Sequence, residues 1–299
     1  MTAPVYYLPD DLIKHIPVSR DEVVIRHYQS GNDSIKNRIV LNSNMINLVM
    51  SGIKTVVYPQ QTTVINEGEL VLLSTGNILT SEVISTGDTF NSILLYFNND
   101  VLNRFLIKYE HLLTTPSNQQ TVQPFVTYRQ DSFISHFAHS LLHLLNSSHA
   151  LSPEIKQLKL EELLLYLLRL DASKFQSLKF NMKEEAELLL KKTVESHIGQ
   201  IVTVDELAFL CNMSASTFKR KFERLYHTSP QKWLLKEKLQ RAAELLKSLD
   251  ETPSNVYHKV GYQNHSSFSQ AFRQQFGITP SDYQLQYLSD RRQPLNVRP

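Results

Sequence analysis

The last third of the chain is written twice. From Ser216 onward, residues fifty positions apart agree in kind: Ser216 with Ser266, Thr217 with Ser267, Phe218 with Phe268, Phe222 with Phe272, Tyr226 with Phe276, Pro230 with Pro280 and Trp233 with Tyr283. Upstream the offset falls to forty-nine, pairing Leu207 with Val256, Asn212 with Gly261 and Met213 with Tyr262. Two copies of one supersecondary unit explain this, the second with one extra residue in a short turn.

Each copy reads as helix, turn, helix. In the first, Thr203 or Asp205 caps a short helix whose Leu207, Ala208 and Leu210 face inward. Asn212 tolerates the left-handed conformation of a tight turn, and Ser214 or Ser216 caps the next helix. Phe218, Phe222 and Leu225 then recur at helical spacing, leaving Ser216, Thr217, Lys219, Arg220 and Arg224 for other faces. In the second copy Gly261 fills the turn and Phe268, Phe272 and Phe276 form the buried stripe.

Residues 184–287 resemble the DNA-binding domain of the AraC/XylS family, two helix-turn-helix units joined by a long helix. The signature runs over 261–283, from Gly261-Tyr262-Gln263-Asn264-His265-Ser266-Ser267-Phe268 to Thr279-Pro280-Ser281-Asp282-Tyr283, with its first-copy counterpart over 213–233. One residue departs from the pattern: Tyr257 stands where the family usually has a small Ala, so that helix is expected to sit farther from its neighbour.

The resemblance implies two recognition helices, held by a joining helix over about 231–249, in successive major-groove segments about 34 Å apart. It puts Ser216, Lys219 and Arg220 at base edges in the first unit and His265, Ser266 and Gln270 in the second. Arg220 suits guanine O6 and N7, and Gln270 suits adenine. Thr217, Arg224, Ser267 and Arg273 are expected to hold phosphates. Lys221, Lys236 and Lys238 read as solvated surface. The partners implied are a double-stranded DNA operator and RNA polymerase.

Net charge is +2, which alone predicts no polyanion partner. Its distribution says more. Residues 182–299 hold 10 Lys and 7 Arg against 13 acids, whereas residues 1–181 hold 14 basic and 16 acidic groups, so basic charge gathers where the repeat lies. The single Cys211 excludes an intramolecular disulfide and reads as a buried thiol. The opening Met1-Thr2-Ala3-Pro4 is not a signal peptide and no apolar run reaches membrane-spanning length, so a cytoplasmic location is expected.

The N-terminal region is built differently. Short β-rich runs at 23–28, 38–41, 45–50, 53–58, 70–73, 78–84 and 92–97 alternate with turn signals such as Gly31-Asn32-Asp33 and Asn66-Glu67-Gly68. Such strands imply an antiparallel barrel or sandwich. Within the resembled family this is the cupin-like barrel that precedes the DNA-binding domain, and Tyr58 and Tyr96 are its candidate ligand-pocket residues. Metal-dependent cupins start from a His-x-His pair, yet no His lies between His27 and His111. The expectation is therefore no catalytic residue, no metal and no cofactor. His136, His139 and His143 share a helix face, for which a half-buried seam with Phe133, Phe137, Leu141 and Leu144 is favoured over zinc.

Helices are expected over 99–109, 131–146 and 154–170. The last is apolar around more than one face, so one face is expected to pack on the barrel and Leu160, Leu163, Leu164 and Leu167 are assigned to a homodimer interface, with a wholly intrachain helical bundle as the alternative. The fold expected is α+β and multidomain: a cupin-like regulatory barrel over 1–130, a helical dimerisation segment over 131–170, a linker over 171–181, an all-α double helix-turn-helix domain over 182–287 and a basic tail over 288–299. The function expected is a sequence-specific transcriptional regulator, an activator, whose barrel senses a small-molecule effector. The alternative keeps the DNA-binding role but makes a regulatory protein the barrel's partner, and a cupin enzyme ranks last. The phrase Val49-Met50-Ser51-Gly52-Ile53-Lys54 resembles the N-terminal half of type III secretion activators of this family, which are controlled by protein partners.

Overall fold

The computed structural model describes residues 4–13, 23–84, 89–113, 123–147, 151–178, 186–198, 200, 202–248 and 250–290. The chain divides into two compact units, Met1–Glu184 and Glu185–Pro299.

Among its described residues the first unit holds ten strands: β1 (Val5–Leu8), β2 (Val23–Ser30), β3 (Ser34–Leu41), β4 (Asn44–Ser51), β5 (Ile53–Val57), β6 (Thr62–Ile65), β7 (Glu69–Leu73), β8 (Gly76–Val83), β9 (Phe90–Phe97) and β10 (Phe125–Arg129). They pair as two five-stranded sheets, in the orders β1-β3-β8-β5-β6 and β10-β7-β4-β9-β2. The expected β-rich domain thus takes a two-sheet form, without hydrogen-bonded closure among the described strands. Pairing is antiparallel except where β1 joins β3.

Burial explains why β4 and β9 read as almost continuous apolar runs. One face of their sheet turns Met45, Val49, Leu94 and Tyr96 toward Ile39, Val56 and Ile78 of the other sheet. The opposite face turns Ile46, Leu48, Ile93, Leu95 and Phe97 into a second core with the helices. Both faces are covered, so alternation disappears. A buried ion pair, Lys54 Nζ to Glu82 Oε1 at 2.6 Å, lies between cross-strand neighbours, and the Tyr28 hydroxyl donates to Glu82 Oε2 at 3.0 Å.

A short α1 (Asp10–Ile13) follows β1, and the second core is completed by α2 (Asn99–Lys108), α3 (Ser132–Leu145), α4 (Pro153–Leu170) and α5 (Ala172–Gln176). Side chains of Asn98, Asp131, Ser152 and Asp171 cap these four helices. Two expectations change here. Residues 171–178 are not the start of a linker, because Phe175 and Leu178 are buried in the core and Leu178 bridges to Gln123. The α4 leucines are not a free face either: Leu160, Leu163, Leu164 and Leu167 are buried within one chain, since the sheet and three neighbouring helices already use that side. The rest of the expected linker and the tail beyond Asp290 lie outside the described residues.

The second unit is helical throughout its described residues: α6 (Ala186–Ser196), α7 (Val204–Leu210), α8 (Ala215–Tyr226), α9 (Pro230–Leu245), α10 (Pro253–Lys259), α11 (His265–Phe276) and α12 (Pro280–Asp290). It holds two cores. Phe218 and Phe222 of α8 meet Leu207, Ala208, Leu190, Val194 and Leu234 in the first. Phe268 and Phe272 of α11 meet Val256, Val260, Leu239, Ala242 and Leu246 in the second. Helix α9 supplies both, so it is the beam of the domain. No helix among the described residues is long and apolar enough to cross a membrane.

Candidate nucleic-acid interface

Local rules place α8 and α11 in matching ways. Thr203 and Glu206 form a reciprocal capping box on α7. Asn212 takes φ 55° in the following turn and Gly261 takes φ 79° in its counterpart. The Ser214 hydroxyl then accepts from Thr217 N at 3.2 Å, as Asn264 Oδ1 accepts from Ser267 N at 2.8 Å. At the far ends α8 closes on His227 at φ 52° and α11 on Gly277 at φ 81°, both left-handed.

With the phenylalanines buried, each helix shows water its polar face. On α8 this is Ser216, Lys219 and Arg220, all exposed, with Ser216 one turn from the two cations. On α11 it is His265, Ser266 and Gln270, also exposed, with Ser266 and Gln270 one turn apart. The two faces differ in charge: Lys219, Arg220, Lys221 and Arg224 accompany Glu223 on α8, whereas Arg273 is the one Lys or Arg on α11. The expected phosphate contacts split as well. Ser267 and Arg273 are exposed, Thr217 is half-buried and accepts from Ser214 Oγ at 2.9 Å, and Arg224 is ion-paired with Glu187 of α6. Glu187 lies far from Arg224 in sequence, and nothing in the repeat points to it. Tyr257, the departure from the family pattern, is half-buried with its ring 5.7 Å from His265.

Other candidate residues lie elsewhere. Tyr58 and Tyr96 are buried in the packing between the sheets. The Tyr58 hydroxyl donates to Ser74 O at 2.7 Å, and burial pushes both phenols well above their ordinary pKa. Clefts of about 270 and 220 Å³ are lined by Met50, Glu67, Gln130, Ile134 and His139, and by Arg104, Phe105, Lys108, Gln157 and Glu161; neither contains Tyr58 or Tyr96. His136, His139 and His143 are exposed, which replaces the expected half-buried seam: Ile134, Phe137, Ala138 and Leu141 occupy the inward side of α3. Among the described residues no group of three or more His, Cys, Asp or Glu side chains is arranged to hold a metal ion. Cys211 is buried, and burial pushes its thiol pKa up to about 11.

Comparison with known proteins agrees with this division. A family described as the ExsA N-terminal regulatory domain matches residues 44–178, and a helix-turn-helix domain family matches residues 207–286. The virulence regulon transcriptional activator VirF of Yersinia enterocolitica is 26% identical over 227 residues, 75% of this chain and 83% of that one. The transcriptional regulator ExsA of Pseudomonas aeruginosa is 25% identical over 217 residues, 72% and 76% of the two chains. AlkR of Acinetobacter baylyi reaches 38% identity over 84 residues, and that match spans 28% of each chain. The chain is thus a DNA-binding transcriptional regulator that joins an ExsA-type N-terminal regulatory domain to an AraC-type helix-turn-helix domain, similar in both to VirF and ExsA.

Proposed function

We propose that the protein is a transcriptional activator that reads its operator with α8 and α11 in successive major-groove segments, under the control of a protein partner bound to the N-terminal unit. The observation that carries the DNA-reading half is the matched pair of capped helices, each burying two phenylalanines and exposing polar groups at repeat-equivalent positions. Ser216, Lys219 and Arg220 read bases through α8, and His265, Ser266 and Gln270 through α11; Thr217, Ser267 and Arg273 hold phosphates, with Arg224 sharing that role only when it leaves Glu187. The name of VirF supports activation, and RNA polymerase is then the downstream partner. The test is a panel of mutated operators. Arg220→Ala lowers affinity by ~1–3 kcal/mol and relaxes preference at one base pair, whereas Arg273→Ala weakens all duplexes alike. Unchanged specificity in Arg220→Ala removes it from the base-reading set.

The protein-partner reading of the N-terminal unit is supported by the side chains of Ile39, Val56, Tyr58, Ile78, Leu94 and Tyr96 that fill the space between its sheets. A second reading, a small polar effector at that place, is favoured by one observation. Asn47, Ser92 and Tyr96 are buried, and Asn47 Oδ1 and Nδ2, Ser92 Oγ and Tyr96 OH have no hydrogen-bond partner. The two readings separate by native mass spectrometry of protein purified from its own cells: a co-purifying protein supports the first, a bound small molecule the second.

Homodimerisation is the remaining element. The buried α4 leucines do not serve it, but Ile155, Leu158, Glu162 and Arg169 form one exposed stripe on the outer face, with Ile155 and Leu158 exposed by 41% and 62%. A second copy of α4 would cover that stripe.

A further inference from the structure

The two repeats differ together at two positions that touch. Tyr257 of α10 is equivalent to Ala208 of α7 by the forty-nine-residue offset, and His265 at the start of α11 is equivalent to Ala215 at the start of α8 by the fifty-residue offset. In the first unit both are alanines. In the second, the Tyr257 and His265 rings lie 5.7 Å apart at 85°, an edge-to-face pair. The backbone fixes this meeting: Gly261 N donates to His258 O at 3.0 Å and Tyr262 N to Tyr257 O at 2.9 Å, which closes the turn between α10 and α11. The His265 imidazole is further confined by the Phe268 ring at 6.4 Å and by Ser269 Oγ, 3.4 Å from its Nδ1. Tyr257 itself is held by the second core and by the His258 ring at 3.9 Å.

We propose that Tyr257 is a positioning residue that pre-orders His265 as a specificity-determining group at the DNA-facing end of α11. This rests on the reading that α11 enters the major groove. Imidazole offers both a donor and an acceptor to base edges, and a ring already held in one orientation loses less freedom on binding than a free exposed one. The first unit, with alanines at both places, has no such reader. It relies instead on Lys219 and Arg220 of its second turn.

The experiment selects binding duplexes from a randomised DNA pool with the full chain, then measures base preference at each position for Tyr257→Leu, Tyr257→Phe, His265→Ala and the Tyr257→Leu/His265→Ala double variant. Preference at one base pair falls roughly three- to tenfold in Tyr257→Leu. It falls at the same base pair in His265→Ala, falls no further in the double variant, and is retained by Tyr257→Phe because the contact uses the ring and not the hydroxyl. Uniform weakening with preference intact, additive losses, or failure of Tyr257→Phe to retain preference would overturn the proposal. So would unchanged preference in His265→Ala. Gln270→Ala then separates the causes: a shifted preference there keeps α11 in the groove and removes only the Tyr257–His265 coupling, whereas no shift removes the groove reading as well. Tyr257→Ala, the residue the first unit carries, is the second variant if Tyr257→Leu does not fold. In the DNA-free protein, the imidazole Cε1–H resonance identified by its loss in His265→Ala moves in Tyr257→Leu and stays in Tyr257→Phe. A resonance unmoved by Tyr257→Leu contradicts the contact.

Discussion

Leu234 and Leu239 stand five residues apart on α9 and belong to different hydrophobic cores, Leu234 to that of the first helix-turn-helix unit and Leu239 to that of the second. One continuous helix therefore sets the phase between α8 and α11. Leu239 is 1% exposed, so Leu239→Ala removes buried packing and leaves a void. The expected cost is about 2–5 kcal/mol by urea denaturation, with the base preference assigned to α11 lost before that of α8.

Helices α8 and α11 end on different residues in the same left-handed conformation, His227 and Gly277. A Cβ strains that conformation and glycine does not. His227→Gly should raise stability by about 1 kcal/mol and Gly277→Ala should lower it by about the same amount. Nothing lies within 4 Å of a Cβ built at Gly277, so backbone strain is the only term there. Equal melting temperatures for wild type and both variants would refute this.

Asp131 caps α3. Burial alone would raise its carboxyl pKa, but hydrogen bonds from Ile134 N–H and the Tyr166 hydroxyl outweigh that and hold it below the ordinary value. A depressed carboxyl stabilises the fold above the unfolded pKa, and the contribution is lost as pH falls through the folded one. Urea midpoints should therefore drop below about pH 4. Asp131→Asn keeps a capping oxygen and should flatten part of that acid limb.

Much of this was legible in sequence because spacing and capping chemistry are local. The 49- and 50-residue offsets, Asn212 in its turn and the phenylalanine stripes all reappear in the structure, as do the seven expected strands, with shifts of a few residues at their ends. What escaped was settled by distant contacts. Strands β1 and β6 are four residues each, too short for alternation to register, and β10 joins its sheet only by pairing with β7 more than fifty residues away. Helix α4 correctly read as apolar on more than one face, yet composition does not say which face meets the chain's own sheet. Leu164 proved to be inside and Leu158 outside.

That distinction predicts opposite outcomes for two charges on one helix. Leu158→Glu should leave a folded protein and, if α4 pairs with a second copy, convert dimer to monomer in sedimentation equilibrium. Leu164→Glu should unfold the N-terminal unit, because a charge would be buried without a partner. A wild-type chain that sediments as a monomer at high concentration would remove the dimer from the account.

If one chain reads two adjacent major-groove segments with α8 and α11, methylation at guanine N7, which lies in the major groove, should interfere with binding at both. On an operator selected with the full chain, two patches of interference are expected about 10 bp apart on one face of the duplex, with Arg220→Ala removing a signal from one patch only. A single patch, or two patches that both respond to Arg220→Ala, would rule out the two-helix reading.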